Sequence, residues 1–113
     1  MKDKKRSLAF SAVFSTQKLD MTIVGSDESE NGTVDANFSY VDLGGGTDTV
    51  VVTGNYNTIT GKDDTSRVTY ITNTGHDNKI MPSLKGNDII SNYGANVTIN
   101  AGNGYDTILN TGA

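Results

Sequence analysis

The sequence predicts an all-β fold: a parallel β-solenoid, of the β-roll or β-helix kind, with about four two-strand coils and an N-terminal β cap. Three observations predict it. Two apolar series recur with one common period, and two series of Gly-containing turns recur in phase with them. The composition points the same way. Only 35% of the 113 residues are hydrophobic, while 13 are glycine, which leaves little for an ordinary globular core. A solenoid manages with less, because each coil needs few inward side chains and stacks them on its neighbours.

Taken in order, residues 1–6 form a basic, solvated tail (Met-Lys-Asp-Lys-Lys-Arg). Residues 7–42 alternate without regular Gly corners. Leu8, Phe10, Ala12 and Phe14 share one face of a first strand; Leu19, Met21 and Ile23 follow; Val34, Ala36, Phe38 and Tyr40 make a third strand. The acidic polar stretch from Ser26 to Gly32 joins the last two. This region reads either as a cap over the first coil or as degenerate first coils, since Met21 to Tyr40 spans 19 residues. The cap is favoured because two of the three segments look long for a coil strand, and solenoids need their ends covered.

Residues 43–113 carry the repeats and end without a C-terminal cap. The first apolar series is Tyr40, Ile59, Ile80 and Ile99, in steps of 19, 21 and 19 residues. The second is Val51, Ile71, Ile90 and Leu109, in steps of 20, 19 and 19. Two interleaved series with one period mean two short strands per coil. After each second strand comes a Gly turn, around Gly54, Gly75, Gly94 and Gly112, with Asn frequent beside it. Gly and Asn tolerate the positive φ that a tight corner demands. Before each second strand comes a different turn, ending in Asp48, Asp88 or Asp106. The coil between the first two should bring its Asp near position 67, where Gly61-Lys-Asp-Asp-Thr-Ser-Arg67 is irregular.

Bulk properties narrow the function classes. The length fits one domain. A net charge of −4 with no basic stripe beyond the tail excludes a nucleic-acid partner. Acidic turns suit hard cations better. No Cys is present, so disulfides and thiolate metal sites are excluded. The run Ser7 to Ser15 is short, Ser-rich and lacks a following cleavage site, so it is no convincing classical signal peptide. Nothing in the chain has the length of a membrane-spanning helix, and no membrane insertion is expected.

The stretch from Ala101 to Leu109 (Ala-Gly-Asn-Gly-Tyr-Asp-Thr-Ile-Leu) matches the nonapeptide G-G-x-G-x-D-x-U-x at every defined position but the first. On Gly102, Gly104 and Asp106, and less completely on Gly86 and Asp88 and on Gly44, Gly46 and Asp48, residues 43–113 resemble the hemolysin-type calcium-binding repeats of the RTX family. The resemblance implies a parallel β-roll with Ca²⁺ held between neighbouring turns by these Asp carboxylates and the turn carbonyls. The chain departs from the family in carrying the Asp motif on one edge only, so Asp88 and Asp106 are the only adjacent pair. It is closer to degenerate relatives in large repetitive bacterial surface and secreted proteins. The competing reading is structural. Asp in a Gly turn caps backbone N–H groups, and Asn residues stacked at the other edge form amide ladders.

No nucleophile motif or convergent acid–base set is present, and the chain reads as a non-enzyme. His76, the one His, reads as an exposed corner residue without zinc partners. Asp63 and Asp64 are adjacent, so on a strand they point apart. Tyr56, Tyr70, Tyr93 and Tyr105 read as corner covers or as a weak sugar-binding surface. The function expected is an extracellular or bacterial cell-surface structural and interaction module, with Ca²⁺ as a stabilising ion. It would serve as spacer, adhesin part or fibre subunit. Its expected partners are a second copy at the open C-terminal solenoid end and a cell-surface or polysaccharide partner. The alternative is a calcium-triggered folding and secretion module of an RTX-type toxin or enzyme whose active part lies elsewhere.

Overall fold

A computed structural model describes residues 7–10, 15–16, 22–25, 29, 31–62, 68–82 and 85–112. Strands alternate between two sheets along the chain. One sheet holds β1 (Ser7–Phe10), β3 (Thr22–Gly25), β5 (Tyr40–Asp42), β7 (Thr58–Thr60), β9 (Lys79–Met81) and β11 (Thr98–Ile99), in that spatial order. The other holds β2 (Ser15–Thr16), β4 (Asn31–Val34), β6 (Asp48–Val52), β8 (Thr69–Asn73), β10 (Ile89–Asn92) and β12 (Thr107–Asn110). Every pairing is parallel. The chain is therefore a parallel β-solenoid, and β5–β6, β7–β8, β9–β10 and β11–β12 are its four expected coils.

Register decides which residues fill the interior. Val41, Ile59, Ile80 and Ile99 stack from one sheet, and Val50, Ile71, Ile90 and Ile108 from the other. Val41, Val50, Ile59, Ile71, Ile80 and Ile90 are fully buried or nearly so, each worth about 1.5–3 kcal/mol in apolar transfer. The periodicity expected from sequence is present, but three of its members are one residue out of phase. Tyr40, Val51 and Leu109 are exposed, and their neighbours Val41, Val50 and Ile108 hold the inward positions. A slip of one residue reverses the face in a strand, and apolar residues on both faces hid the phase.

The described strands within residues 7–42 continue the same sheets. Ile23 pairs with Leu8 and with Val41, and Thr33 with Ser15 and with Val51, all parallel. The described strands of this region thus extend both sheets beyond the four coils. The third strand expected from Val34 to Tyr40 is divided. β4 ends at Val34, the chain turns at Phe38 with φ of 54°, and β5 begins at Tyr40. Ala12, Phe14, Leu19, Met21 and the basic tail lie outside the described residues.

Candidate functional site: the two polar edges

Between each odd-numbered strand and the next lies the Asp edge. Asp48 pairs in register with Thr69, and the adjoining pairs of β8, β10 and β12 carry the column on through Asp88 to Asp106. The coil expected to bring an Asp near position 67 supplies Thr69 instead, and Asp63 and Asp64 lie outside the described residues. Asp48 and Asp88 are fully buried. Asp106 Oδ1 accepts the backbone N–H of Asp88 at 2.8 Å, and Asn87 Oδ1 accepts that of Tyr105 at 2.8 Å. Two of the turns are closed from within as well. Asp42 Oδ1 accepts from Gly44 N at 3.0 Å, and Asn100 Oδ1 from Gly102 N at 3.1 Å. These Asx turns give Asp42 and Asn100 one role in two coils, which their spacing to the following Gly could have revealed.

The glycines of this edge shape the turn. Gly44, Gly46, Gly102 and Gly104 all have φ between 75° and 118°, where an L side chain is disfavoured. A Cβ on Gly104 would also run into the Gly86 carbonyl of the preceding coil. For Ca²⁺, which takes six to eight oxygens, the edge brings together two carboxylates, Asp88 and Asp106, beside the turn of Gly86, Gly102 and Gly104. Asp48 stands apart from them behind Thr69. Among the described residues no three His, Asp or Glu side chains converge on one point. An ion here would draw the rest of its shell from turn carbonyls and water.

The Gly–Asn edge is built from amides. Asn73 Nδ2 donates to Asn92 Oδ1 at 2.7 Å, and Asn92 Nδ2 to Asn110 Oδ1 at 2.7 Å. A second column runs inside the same corner: Asn57 Oδ1 accepts from Ser39 N at 2.8 Å and Asn78 Oδ1 from Asn57 N at 2.7 Å. Asn78 Nδ2 joins the columns by donating to Asn73 Oδ1 at 2.9 Å. The remaining donor capacity goes to the corner carbonyls of Ala36, Gly54, Gly75 and Gly94, at 2.7 to 3.1 Å. Asn57, Asn73, Asn78 and Asn92 are buried, and buried amides need such partners. The glycines here serve close approach. A Cβ on Gly75 or Gly94 would strike the carbonyl of Gly54 or Gly75 one coil earlier.

Positive φ falls elsewhere at this edge than the sequence implied. Two residues after each corner position stand Phe38, Tyr56, Asp77 and Asn96, with φ of 54°, 60°, 57° and 55°. Their geometry turns the backbone N–H toward the next coil. Phe38 N donates to Asn55 O, Tyr56 N to His76 O and Asp77 N to Ala95 O, at 3.0 to 3.1 Å. Asp and Asn visit this region readily, whereas a bulky L residue there costs about 1–2 kcal/mol. The Phe38 and Tyr56 rings stack, with centroids 4.8 Å apart and planes 2° from parallel. They remain 55% and 49% exposed, so the pair returns only about 0.5–1.5 kcal/mol. His76 meets Tyr56 edge-on at 5.5 Å, and its Nδ1 lies 2.7 Å from Asp77 Oδ2.

Outside these columns, Asn37 Oδ1 accepts from Asn55 N at 2.7 Å and Asn55 Oδ1 from His76 N at 2.9 Å. Sequence reasoning marked the Asn turns but missed that three separate columns share one corner. Among the described residues, no helix is long and apolar enough to cross a membrane. No protein-family model, curated protein or solved structure matches the chain.

Proposed function

We propose that this chain is a structural and interaction module: a rigid β-solenoid of the extracellular or bacterial cell-surface type, used as a spacer, adhesin part or head-to-tail assembling subunit. The observation that carries this reading is where the polar side chains go. The side chains of Asn57, Asn73, Asn78, Asn92, Asp106 and Asn87 each make at least one hydrogen bond to a neighbouring coil. Such groups hold a scaffold at a fixed rise, as a spacer requires. Light scattering at high concentration, with and without Ca²⁺, tests assembly; monodisperse monomers in both count against the fibre form. A cooperative unfolding transition tests the rigid scaffold itself, and its absence removes the whole reading.

A second reading keeps Ca²⁺ as a stabilising or folding ion, in a module of the RTX type. Asp88 and Asp106 support it, being two carboxylates on adjacent coils beside positive-φ glycines. Bound there, Ca²⁺ would offset the repulsion between the two carboxylates. If the chain is disordered in chelator and gains β signal with Ca²⁺, this reading displaces the first, because binding is then coupled to folding.

A further inference from the structure

We infer that the ridge formed by Asn37, Phe38, Asn55, Tyr56, His76 and Asp77 binds a neutral polysaccharide laid along the solenoid axis; this deepens the interaction-module reading and rests on it. Phe38 and Tyr56 occupy left-handed backbone positions at which the next two coils place Asp77 and Asn96. Aromatic residues are outliers there, and these two stay half exposed, so burial does not explain them. A disfavoured residue kept at the surface is a mark of function rather than of packing.

Beside the rings runs a second, polar row. Asn37 and Asn55 each commit Oδ1 to a backbone N–H of the following coil, and their Nδ2 groups make no further bond among the described residues. The ridge therefore offers one amide donor for each of these two coils, then the His76–Asp77 pair, whose Asp77 side chain is 31% exposed. One face of each ring is turned to the other, and both rings stay about half exposed. A ligand must combine C–H surface for the rings, oxygens that accept from Asn37 and Asn55, and a hydroxyl that donates to Asp77. A repeating sugar chain has all three at each unit. Asp77 and the net charge of −4 disfavour acidic glycans. Protein hot spots seek well-packed, fully desolvated pockets, and a row of half-exposed rings supplies none.

Affinity electrophoresis through gels containing xylan, β-glucan or galactomannan, with pull-down on cellulose and chitin, tests the assignment. The wild-type chain is expected to be retained by at least one of these. Tyr56→Asn and Phe38→Asn install the residue that Asn96 supplies at the same corner. Each is expected to weaken retention at least about tenfold, with the melting temperature unchanged or raised, since the backbone strain is relieved. Retention by none of the five, or wild-type retention by both variants, overturns the inference. Failure of the scaffold reading would show separately, as non-cooperative unfolding of the wild-type chain.

Discussion

Asn73 passes its side-chain amide to the side-chain carbonyl of Asn92 in the next coil, at 2.7 Å and out of contact with solvent. Asn92 repeats the gesture toward Asn110 and also accepts from Gly94 N at 3.1 Å. Replacing Asn92 by Ala strands a buried donor on Asn73 and two backbone groups at Gly94. Each unsatisfied group costs about 1–3 kcal/mol, partly relieved by water near the corner. Asn92→Ala is expected to lose about 2–4 kcal/mol, a fall in melting temperature on the order of 10–20 °C by calorimetry. A loss below 1 kcal/mol would mean the amide column contributes little.

Asn92→Asp separates shape from hydrogen bonding. The carboxylate is nearly isosteric but has no donor for Asn110 Oδ1 or Gly94 O. Burial and these facing oxygens disfavour its charged form, which raises its folded pKa above the unfolded value of about 3.9. The folded chain then holds the proton longer than the unfolded chain, so stability falls as pH rises through that interval. The penalty relative to wild type is expected to be small near pH 4 and larger at pH 7, measured as the difference in melting temperature. A pH-independent penalty contradicts this account.

Much of the architecture was readable from spacing alone, and the errors are physical in origin. The period survives in the register because each coil must close on itself at the same height. The phase failed at Tyr40, Val51 and Leu109 because these outward residues are as apolar as their inward neighbours Val41, Val50 and Ile108. The corner at Phe38 was invisible because an aromatic residue gives no turn signal, although its backbone does what Asn96 does three coils later. Thr69 was unreadable as a member of the Asp column because its coil is longer: Thr58 to Lys79 is 21 residues, where Tyr40 to Thr58 is 18. The Asp88–Asp106 pairing was legible, since adjacent coils there keep regular spacing.

Gly94→Ala tests the close approach of coils at the Gly–Asn edge. The added methyl would collide with the Gly75 carbonyl oxygen, which is backbone and cannot turn aside. Separating the coils would also stretch the Asn73–Asn92 contact. A loss of about 3 kcal/mol or more is expected, at the upper end for overpacking. Ala95→Gly, one residue on and part exposed, serves as the control and should cost well under that. Equal effects at the two positions would show that the clash is absorbed.

Thr69→Asp probes the acidic column where the register leaves it broken. Thr69 stands between Asp48 and Asp88, both fully buried, and is itself buried. A carboxylate there would add a third like charge to a site with little water. In chelator the variant is expected to lose at least about 3 kcal/mol, as for an uncompensated buried charge. Wild type is expected to keep its β signal in chelator, because amide and backbone bonds already join its coils, and to gain a modest rise in melting temperature in millimolar Ca²⁺ through Asp88 and Asp106. The variant joins Asp48 to that pair and adds the ligand missing from its own coil, so its Ca²⁺-dependent rise should exceed that of wild type. Circular dichroism melts in chelator and in Ca²⁺ compare the two chains directly. Identical melts for wild type in both conditions, with no larger response from Thr69→Asp, would leave the Asp edge as a set of turn caps and remove calcium from the proposed function.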